Sequence, residues 1–321
     1  MIKSQSVERP PNRYPTLSVR AQRLAYVEQG TGQPLILIHG SASDLRTWRD
    51  QLPAFGQNFR TVAYSRRYHL PNDPIPPGSD YLLEEHVEDL GSVLHRFGPA
   101  PANLVGHSYG GLVALEAAAR WPDLIDRLVL AEPPVVSLFV DPEPDPGKIL
   151  GLLLRRPRLG FVILRFAQGG LEPARSALQR GDREAAFQAF AHATLGTAAF
   201  EALSHERLLQ ARGNFIEAEL LKSGLPPLAP YSIRQVTCPT LLITGDHSPR
   251  LFRLLTDRLH ELLRQAERIT IERASHIVHE DNPAGFNRAV LQHLGGTPPG
   301  TGSSARDNRH QHQSKLKEVE T

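Results

Sequence analysis

Thiols are nearly absent from this chain, whose 321 residues include one cysteine, Cys238. A single cysteine cannot form an internal disulfide, and it excludes a metal site built from several cysteines. Cys238 lies beside the apolar run from Thr240 to Thr244, which indicates a buried structural thiol. Neither a disulfide scaffold nor a thiolate metal centre is therefore expected.

Long apolar runs are also missing. No segment reaches the ~20 apolar residues that a membrane-spanning helix needs. The N-terminal residues include Pro10, Pro11 and Pro15 and lack the apolar stretch of a signal peptide. We therefore expect a cytoplasmic protein without a membrane partner.

The chain also lacks a large excess of positive or negative charge. The chain has 36 Lys and Arg residues against 34 Asp and Glu, and its arginines are scattered and do not form a basic stripe. This balance gives no reason to expect a polyelectrolyte partner, so nucleic-acid binding is not predicted. A glycine-rich phosphate loop is lacking too, and we expect neither a metal nor an organic cofactor.

Apolar runs that resemble strands do alternate with helical patterns, and the 40% of hydrophobic residues is ample for a core. The pattern predicts strands at 17–19, 23–27, 34–38, 60–64, 102–105 and 127–131, with helices at 81–97 and 109–120. Such a βαβ rhythm is typical of an α/β fold, in which helices cover both faces of a mostly parallel sheet.

The rhythm stops after Pro133 and resumes near Gln235. Only helical patterns lie between these residues, and they are followed by strands at 240–244 and 268–272 and helices at 251–263 and 283–294. A helical insertion between two strands of one sheet predicts a lid over the carboxyl edge, where ligands bind in open α/β folds. The tail from Gly295 is rich in Gly, Pro, Ser and charge and is expected to be disordered.

The run Gly106-His107-Ser108-Tyr109-Gly110 is the most informative motif. An apolar strand precedes it and an alanine-rich helix follows, which is the context of a nucleophile elbow. The glycines remove Cβ atoms that would clash in so tight a turn. Ser108 would then present its Oγ at the N-terminus of a helix, where a developing negative charge is favoured.

Four motifs in order make the chain resemble the α/β-hydrolase superfamily, as a serine-nucleophile member with a helical cap. They are His39-Gly40, the turn around Ser108, Gly245 with its acidic neighbour, and Ser275-His276. The resemblance covers about residues 17–294. It implies a hydrolase core over 16–132 and 236–294 and a helical cap over 133–235. The ends outside it, 1–15 and 295–321, are expected to be disordered.

The resemblance also implies an oxyanion hole and a base. The matching backbone N–H donors of the hole are those of Ser41 and Tyr109. His276 matches the catalytic base, because it directly follows a small residue after the last strand; His279 is its rival. His69 is expected in a solvated loop.

The triad acid is where the sequence departs from the usual family pattern. Three positions beyond Gly245, where the acid most often lies, the chain has Ser248, which cannot carry the negative charge. Some haloalkane dehalogenases and lactonases instead use a Glu at the end of the strand after the elbow helix, and Glu132 matches that position. Asp246 is the alternative acid.

These residues predict two-step acyl transfer on an ester or lactone of a small, largely apolar molecule. Dehalogenases and epoxide hydrolases of this fold use Asp as nucleophile, so Ser108 argues against those chemistries. C–C bond hydrolysis, thioester cleavage and perhydrolysis can use the same triad and remain open. From another class, a receptor-like ligand-binding protein with a slow or silent triad also remains open, because of Ser248.

Overall fold

The computed structural model describes residues 13–20, 22–98, 100–139, 145–221, 228 and 230–297. The segments expected to be disordered fall largely outside these ranges, at 1–12 and 298–321. Their inner ends are held, however: Pro15 O accepts a hydrogen bond from Tyr26 N, and Thr297 exchanges two hydrogen bonds with Asn58.

One sheet is built from strands β1 to β8. Their bounds are Thr16–Val19, Gln22–Gln29, Pro34–Ile38, Arg60–Tyr64, Ala102–His107, Ile125–Ala131, Thr240–Gly245 and Ala266–Ile271. The spatial order is β1-β2-β4-β3-β5-β6-β7-β8. β1 pairs antiparallel with β2 and β2 antiparallel with β4, whereas the remaining neighbours are parallel. The predicted α/β fold is confirmed.

Helices surround this sheet, in chain order α1 to α14. Their bounds are Leu52–Phe55, Leu83–Phe97, Tyr109–Arg120, Pro146–Arg155, Pro157–Phe166, Glu172–Gln179, Arg183–Leu195, Thr197–Glu201, His205–Gly213, Glu217–Leu221, Pro230–Ile233, Arg250–Leu262, Val278–Asp281 and Pro283–Leu294. Short 3₁₀ turns lie at Leu45–Trp48, Pro122–Leu124 and Val136–Leu138, and a π-helical turn at Ala167–Leu171. Over the ranges described, no helix is both long and apolar enough to cross a membrane.

Helices α4 to α11 lie between β6 and β7, and we call residues 133–235 the helical insertion. Its described residues contain no strand, in agreement with the sequence pattern. The insertion has an apolar cluster of its own, formed by Ala174, Ala177, Ala186, Phe187, Ala191, Ala211, Phe215 and Leu220. Other apolar side chains of the insertion, among them Leu159, Ile163 and Ile233, pack instead with the core on one face of the sheet.

The core lies in two layers, one on each face of the sheet. Successive residues of a strand point to opposite faces, and β3 shows the alternation. Leu35 and Leu37 pack with α1 and α14 on one face, whereas Ile36 and Ile38 pack with α2, α3 and α12 on the other. Because both faces are covered, β3 is buried at every position.

Strand register determines which residues meet at the carboxyl edge. Ile38 of β3 pairs with Gly106 of β5. His107 of β5 pairs with Ala131 of β6, which in turn pairs with Ile243 of β7. The parallel strands therefore end side by side, and the residues that follow them form one cluster.

Candidate active site

Ser108 occupies a strained turn between β5 and α3. Its backbone angles are φ 51° and ψ −121°, a region that side chains other than glycine rarely adopt. A Cβ at Gly106 would lie 2.5 Å from Gly110 O, and one at Gly110 would lie 2.2 Å from Ile38 O. Both glycines are thus required by close backbone approach, as the elbow motif predicts.

Ser108, His276 and Glu132 form a continuous hydrogen-bonded relay. Ser108 Oγ lies 3.0 Å from His276 Nε2, and His276 Nδ1 lies 2.7 Å from Glu132 Oε2. With the Nδ1 proton donated to Glu132, Nε2 is the acceptor for the serine hydroxyl. The three residues follow β5, β8 and β6 respectively, so the sheet edge brings them together from distant parts of the chain.

Glu132 is completely buried at the end of β6. Its Oε1 accepts a hydrogen bond of 2.8 Å from Gly245 N. Burial raises the pKa of the Glu132 carboxyl, while the nearby Ser248 hydroxyl and the hydrogen bond from the Gly245 N–H act in the opposite direction by stabilising the carboxylate. Ser248, which the sequence singled out as unable to be the acid, thus lies beside the Glu132 carboxyl group.

His276 is enclosed by two rings. The Phe252 ring of α12 stacks on its imidazole at a centroid distance of 3.8 Å and an interplanar angle of 23°, and His107 Nε2 lies 2.8 Å from His276 O. Burial lowers the pKa of His276, which keeps the imidazole neutral and able to accept a proton. Phe252 was not singled out from the sequence, where it is one more apolar position of a helix.

The alternative acid, Asp246, and the alternative base, His279, have other hydrogen-bond partners. Asp246 Oδ1 accepts a hydrogen bond from Ala274 N, and the side chain is about one-third exposed (35%). His279 is buried with its Nε2 2.8 Å from Thr47 Oγ1. Neither side chain is hydrogen-bonded to the Ser108–His276 pair.

Ser41 and Tyr109, the expected oxyanion donors, flank the nucleophile. Tyr109 is the first residue of α3, where backbone N–H groups lack intrahelical acceptors. Ser41 follows His39-Gly40 after β3, and its Oγ donates a hydrogen bond to Glu219 from α10 of the helical insertion. The insertion thus contacts the loop that carries one expected donor.

A buried polar cluster supports that loop, and sequence reasoning missed it. His69 is completely buried, not in a solvated loop as expected, with its ring nitrogens 2.8 Å from Ser43 O and 2.9 Å from Tyr81 Oη. Arg66 is buried beside it and donates to Tyr81 Oη at 2.7 Å. A polar run such as Ser65-Arg66-Arg67 carries no periodic signal that distinguishes a buried cluster from a surface loop.

A small pocket of about 50 Å³ opens onto Ser108. Its lining is mainly apolar, and the polar exceptions are Ser41, His107, Ser108, Thr194, Arg207 and His276. Arg207 of α9 is neutralised by Glu280, 2.8 Å away. The apolar wall comes from the helical insertion, the loop after β3 and the loop after β8: Ala42, Phe187, Phe190, Ala191, Leu195, Leu203, Ala211 and Ile277.

Metal-ligating side chains do not cluster in the part of the chain that the structure describes, where no group of three or more His, Cys, Asp or Glu could hold an ion. The groups assembled around Ser108 are instead a hydroxyl, an imidazole and a buried carboxyl group.

Comparisons with known proteins agree with this fold. A family model for the alpha/beta hydrolase fold matches residues 33–283. Epoxide hydrolase 3 from Xenopus tropicalis is 27% identical over 290 residues, which are 85% of this chain and 74% of that protein. The (E)-2-((N-methylformamido)methylene)succinate hydrolase of Acinetobacter baylyi is 24% identical over 298 residues, or 88% of this chain and 98% of that protein.

Among solved structures, the enol-lactonase from Burkholderia xenovorans LB400 has a TM-score of 0.67 at 19% identity, covering 88% of this chain and 100% of that chain. This likeness concerns the fold. The family match spans most of the sequence, and it supports a hydrolase activity. The chain belongs to the α/β-hydrolase family.

Proposed function

We propose that the protein is a serine hydrolase that cleaves an ester or lactone of a small, largely apolar molecule through an acyl-enzyme intermediate. The observation that carries this proposal is the relay from Ser108 Oγ through His276 to Glu132, with distances of 3.0 and 2.7 Å. Each member is buried and faces the pocket wall or the next member. Such an arrangement lets a neutral imidazole activate a hydroxyl group.

In the first step, His276 Nε2 takes the proton of Ser108 while Oγ bonds to the substrate carbonyl carbon. The resulting oxyanion lies between the N–H groups of Ser41 and Tyr109, each worth on the order of 3 kcal/mol to the transition state. The bond to the leaving oxygen then breaks, and this oxygen receives the proton from His276. Water hydrolyses the acyl-enzyme by the same route, and Glu132 stabilises the imidazolium in both steps.

Epoxide opening is not proposed, although a relative is named for it. A carboxylate nucleophile opens an epoxide to give an ester, which water can hydrolyse. Attack by Ser108 would give an ether, and water at the same site has no carbonyl to attack. The nucleophile thus favours acyl chemistry.

The pocket supports a substrate with a short acyl group. A volume of about 50 Å³ is well below the ~300 Å³ at which typical ligand pockets begin. Its wall includes Phe190 and Leu195 from the helical insertion. We propose that this insertion, residues 133–235, acts as a cap that limits the length of the acyl chain.

A fluorophosphonate probe tests the proposal, because it phosphonylates only an activated serine. Rapid labelling of the wild type, its loss in Ser108→Ala, and hydrolysis of p-nitrophenyl acetate would support it. Absence of both labelling and hydrolysis of short esters and lactones, with ligand binding retained, would favour the receptor alternative.

A further inference from the structure

Arg66 is the one buried cation that contacts the backbone of the His39-Gly40-Ser41 segment among the described residues. Its side chain has no solvent exposure. Nε donates to His39 O at 3.0 Å, and Nη2 donates to Gly40 O at 3.0 Å. Its own N–H donates to His39 Nε2 at 2.9 Å. Arg66 therefore binds both carbonyl groups that precede Ser41.

By binding Gly40 O, Arg66 fixes the direction of the Ser41 N–H. The Gly40 carbonyl and the Ser41 N–H belong to one planar trans peptide, so they point in opposite directions. When Arg66 and His39 Nδ1, 2.8 Å away, hold the carbonyl towards the protein interior, the Ser41 N–H must face the other way. That direction is the side of the pocket, which Ser41 and Ser108 both line.

The guanidinium is fixed in turn by its neighbours. It donates to Tyr81 Oη at 2.7 Å and lies 4.6 Å above the Tyr109 ring. The Glu219 carboxylate, 3.9 Å from Nη2, offsets its charge. A planar, permanently charged group with several donors in fixed geometry can hold two carbonyls at once, which the single ammonium of a lysine does less well.

We propose that Arg66 is a positioning residue, which holds the Gly40–Ser41 peptide so that the Ser41 N–H points at the oxyanion. The inference rests on the proposed serine hydrolase function. Loss of Arg66 frees the peptide to rotate, and one of two oxyanion donors is then lost. Removal of one such donor lowers kcat by about 10²- to 10³-fold.

Arg66→Met tests this, with Arg67→Met as the matched control. Arg67 is also buried, but it pairs with Asp89 and Glu85 and makes none of the loop contacts. We expect the rate of fluorophosphonate labelling and kcat for p-nitrophenyl acetate to fall about 100-fold in Arg66→Met with little change in KM. Arg67→Met should lose stability but keep kcat within about threefold, the range expected when no donor is lost.

Equal losses of kcat in the two variants, or wild-type labelling in Arg66→Met, would overturn the inference. If Arg66→Met does not fold, Arg66→Lys is the variant that tests the inference. We expect Arg66→Lys to bind a boronic acid transition-state analogue about tenfold more weakly than the wild type. Equal binding would refute the positioning role of Arg66. A crystal structure of Arg66→Lys adds a readout independent of turnover, since an unchanged Gly40–Ser41 peptide orientation would also refute it. An unlabelled wild type would instead count against the serine hydrolase itself.

Discussion

The carboxylate of Glu132 lies 2.7 Å from the Nδ1 of His276, although 144 residues separate them in the chain. The pair forms because β6 and β8 flank β7 and end at one edge of the sheet. Ser248, on the loop after β7, fills the space beside the carboxylate with a hydroxyl group. An acidic residue at that position would place a second negative charge against Glu132.

Glu132→Gln should therefore lower kcat by about three to four orders of magnitude, because a neutral amide neither fixes the imidazole tautomer nor stabilises the imidazolium. Burst and steady-state kinetics with p-nitrophenyl acetate would measure the loss. Asp246→Asn is the matched control and should leave kcat nearly unchanged, since its carboxylate binds Ala274 N. The opposite ranking of the two variants would assign the acid to Asp246.

A carboxylate on the loop after β7 should partly replace that of Glu132. In Glu132→Ala the carboxylate is gone, and Glu132→Ala/Ser248→Asp supplies a new one where the hydroxyl of Ser248 contacts it in the wild type. We expect kcat of the double variant to exceed that of Glu132→Ala by at least about tenfold, because an anion again faces the imidazole. Glu132→Ala/Ser248→Asn carries a neutral side chain of the same shape as Asp, and its kcat should not recover. Recovery of kcat in this variant would mean that the negative charge is not the cause.

The sequence predicted those site residues that lie in a local motif or directly after a strand of the α/β fold. Ser108 sits in a motif whose glycines are required by close backbone approach, and His276 and Glu132 follow strands that the apolar pattern predicts. Arg66 and Phe252 carried no such signal, because their roles come from contacts across long sequence distances. Burial of the polar run after β4 depends on partners from α2 and the helical insertion, which no local pattern specifies.

Backbone strain at the elbow should be measurable as stability. Ser108 has a φ of 51°, and such a conformation costs about 1–3 kcal/mol in a residue other than glycine. Ser108→Gly relieves this strain but raises the entropy of the unfolded chain, and this entropy offsets about 0.5–1 kcal/mol of the stability gained. We expect Ser108→Gly to be more stable than Ser108→Ala by about 1 kcal/mol in urea unfolding, with both inactive. Equal or lower stability of the glycine variant would show that the turn is not strained.

Buried histidines should make the fold sensitive to mild acid. Burial lowers the pKa of six of them below 6.5: His39, His69, His86, His107, His276 and His279. Below pH 6.5 the unfolded chain binds protons that the folded chain does not, so the free energy of unfolding falls as pH falls, by up to about 1.4 kcal/mol per pH unit for each histidine.

Glu132 and Asp89 act in the opposite direction, because burial raises the pKa of each carboxyl and the folded state then releases its proton at a higher pH than the unfolded chain does. Two carboxyls cannot offset six histidines, so we expect the free energy of unfolding to be several kcal/mol lower at pH 5.5 than at pH 7.5. Urea titrations at the two pH values measure the difference. Equal stability would mean that these imidazoles are hydrated or paired in solution.

Phe190 should limit the length of the acyl group. It lines the pocket beside Ser108 and packs only partly against the cluster of the helical insertion, so Phe190→Ala enlarges the pocket with modest loss of stability. We expect the ratio of kcat/KM for p-nitrophenyl octanoate to that for the acetate to rise about tenfold, since about 1.4 kcal/mol of relieved steric cost corresponds to that factor. Phe161→Ala, an exposed phenylalanine of the same insertion, should leave the ratio unchanged. A ratio that rises in neither variant would show that another wall selects chain length.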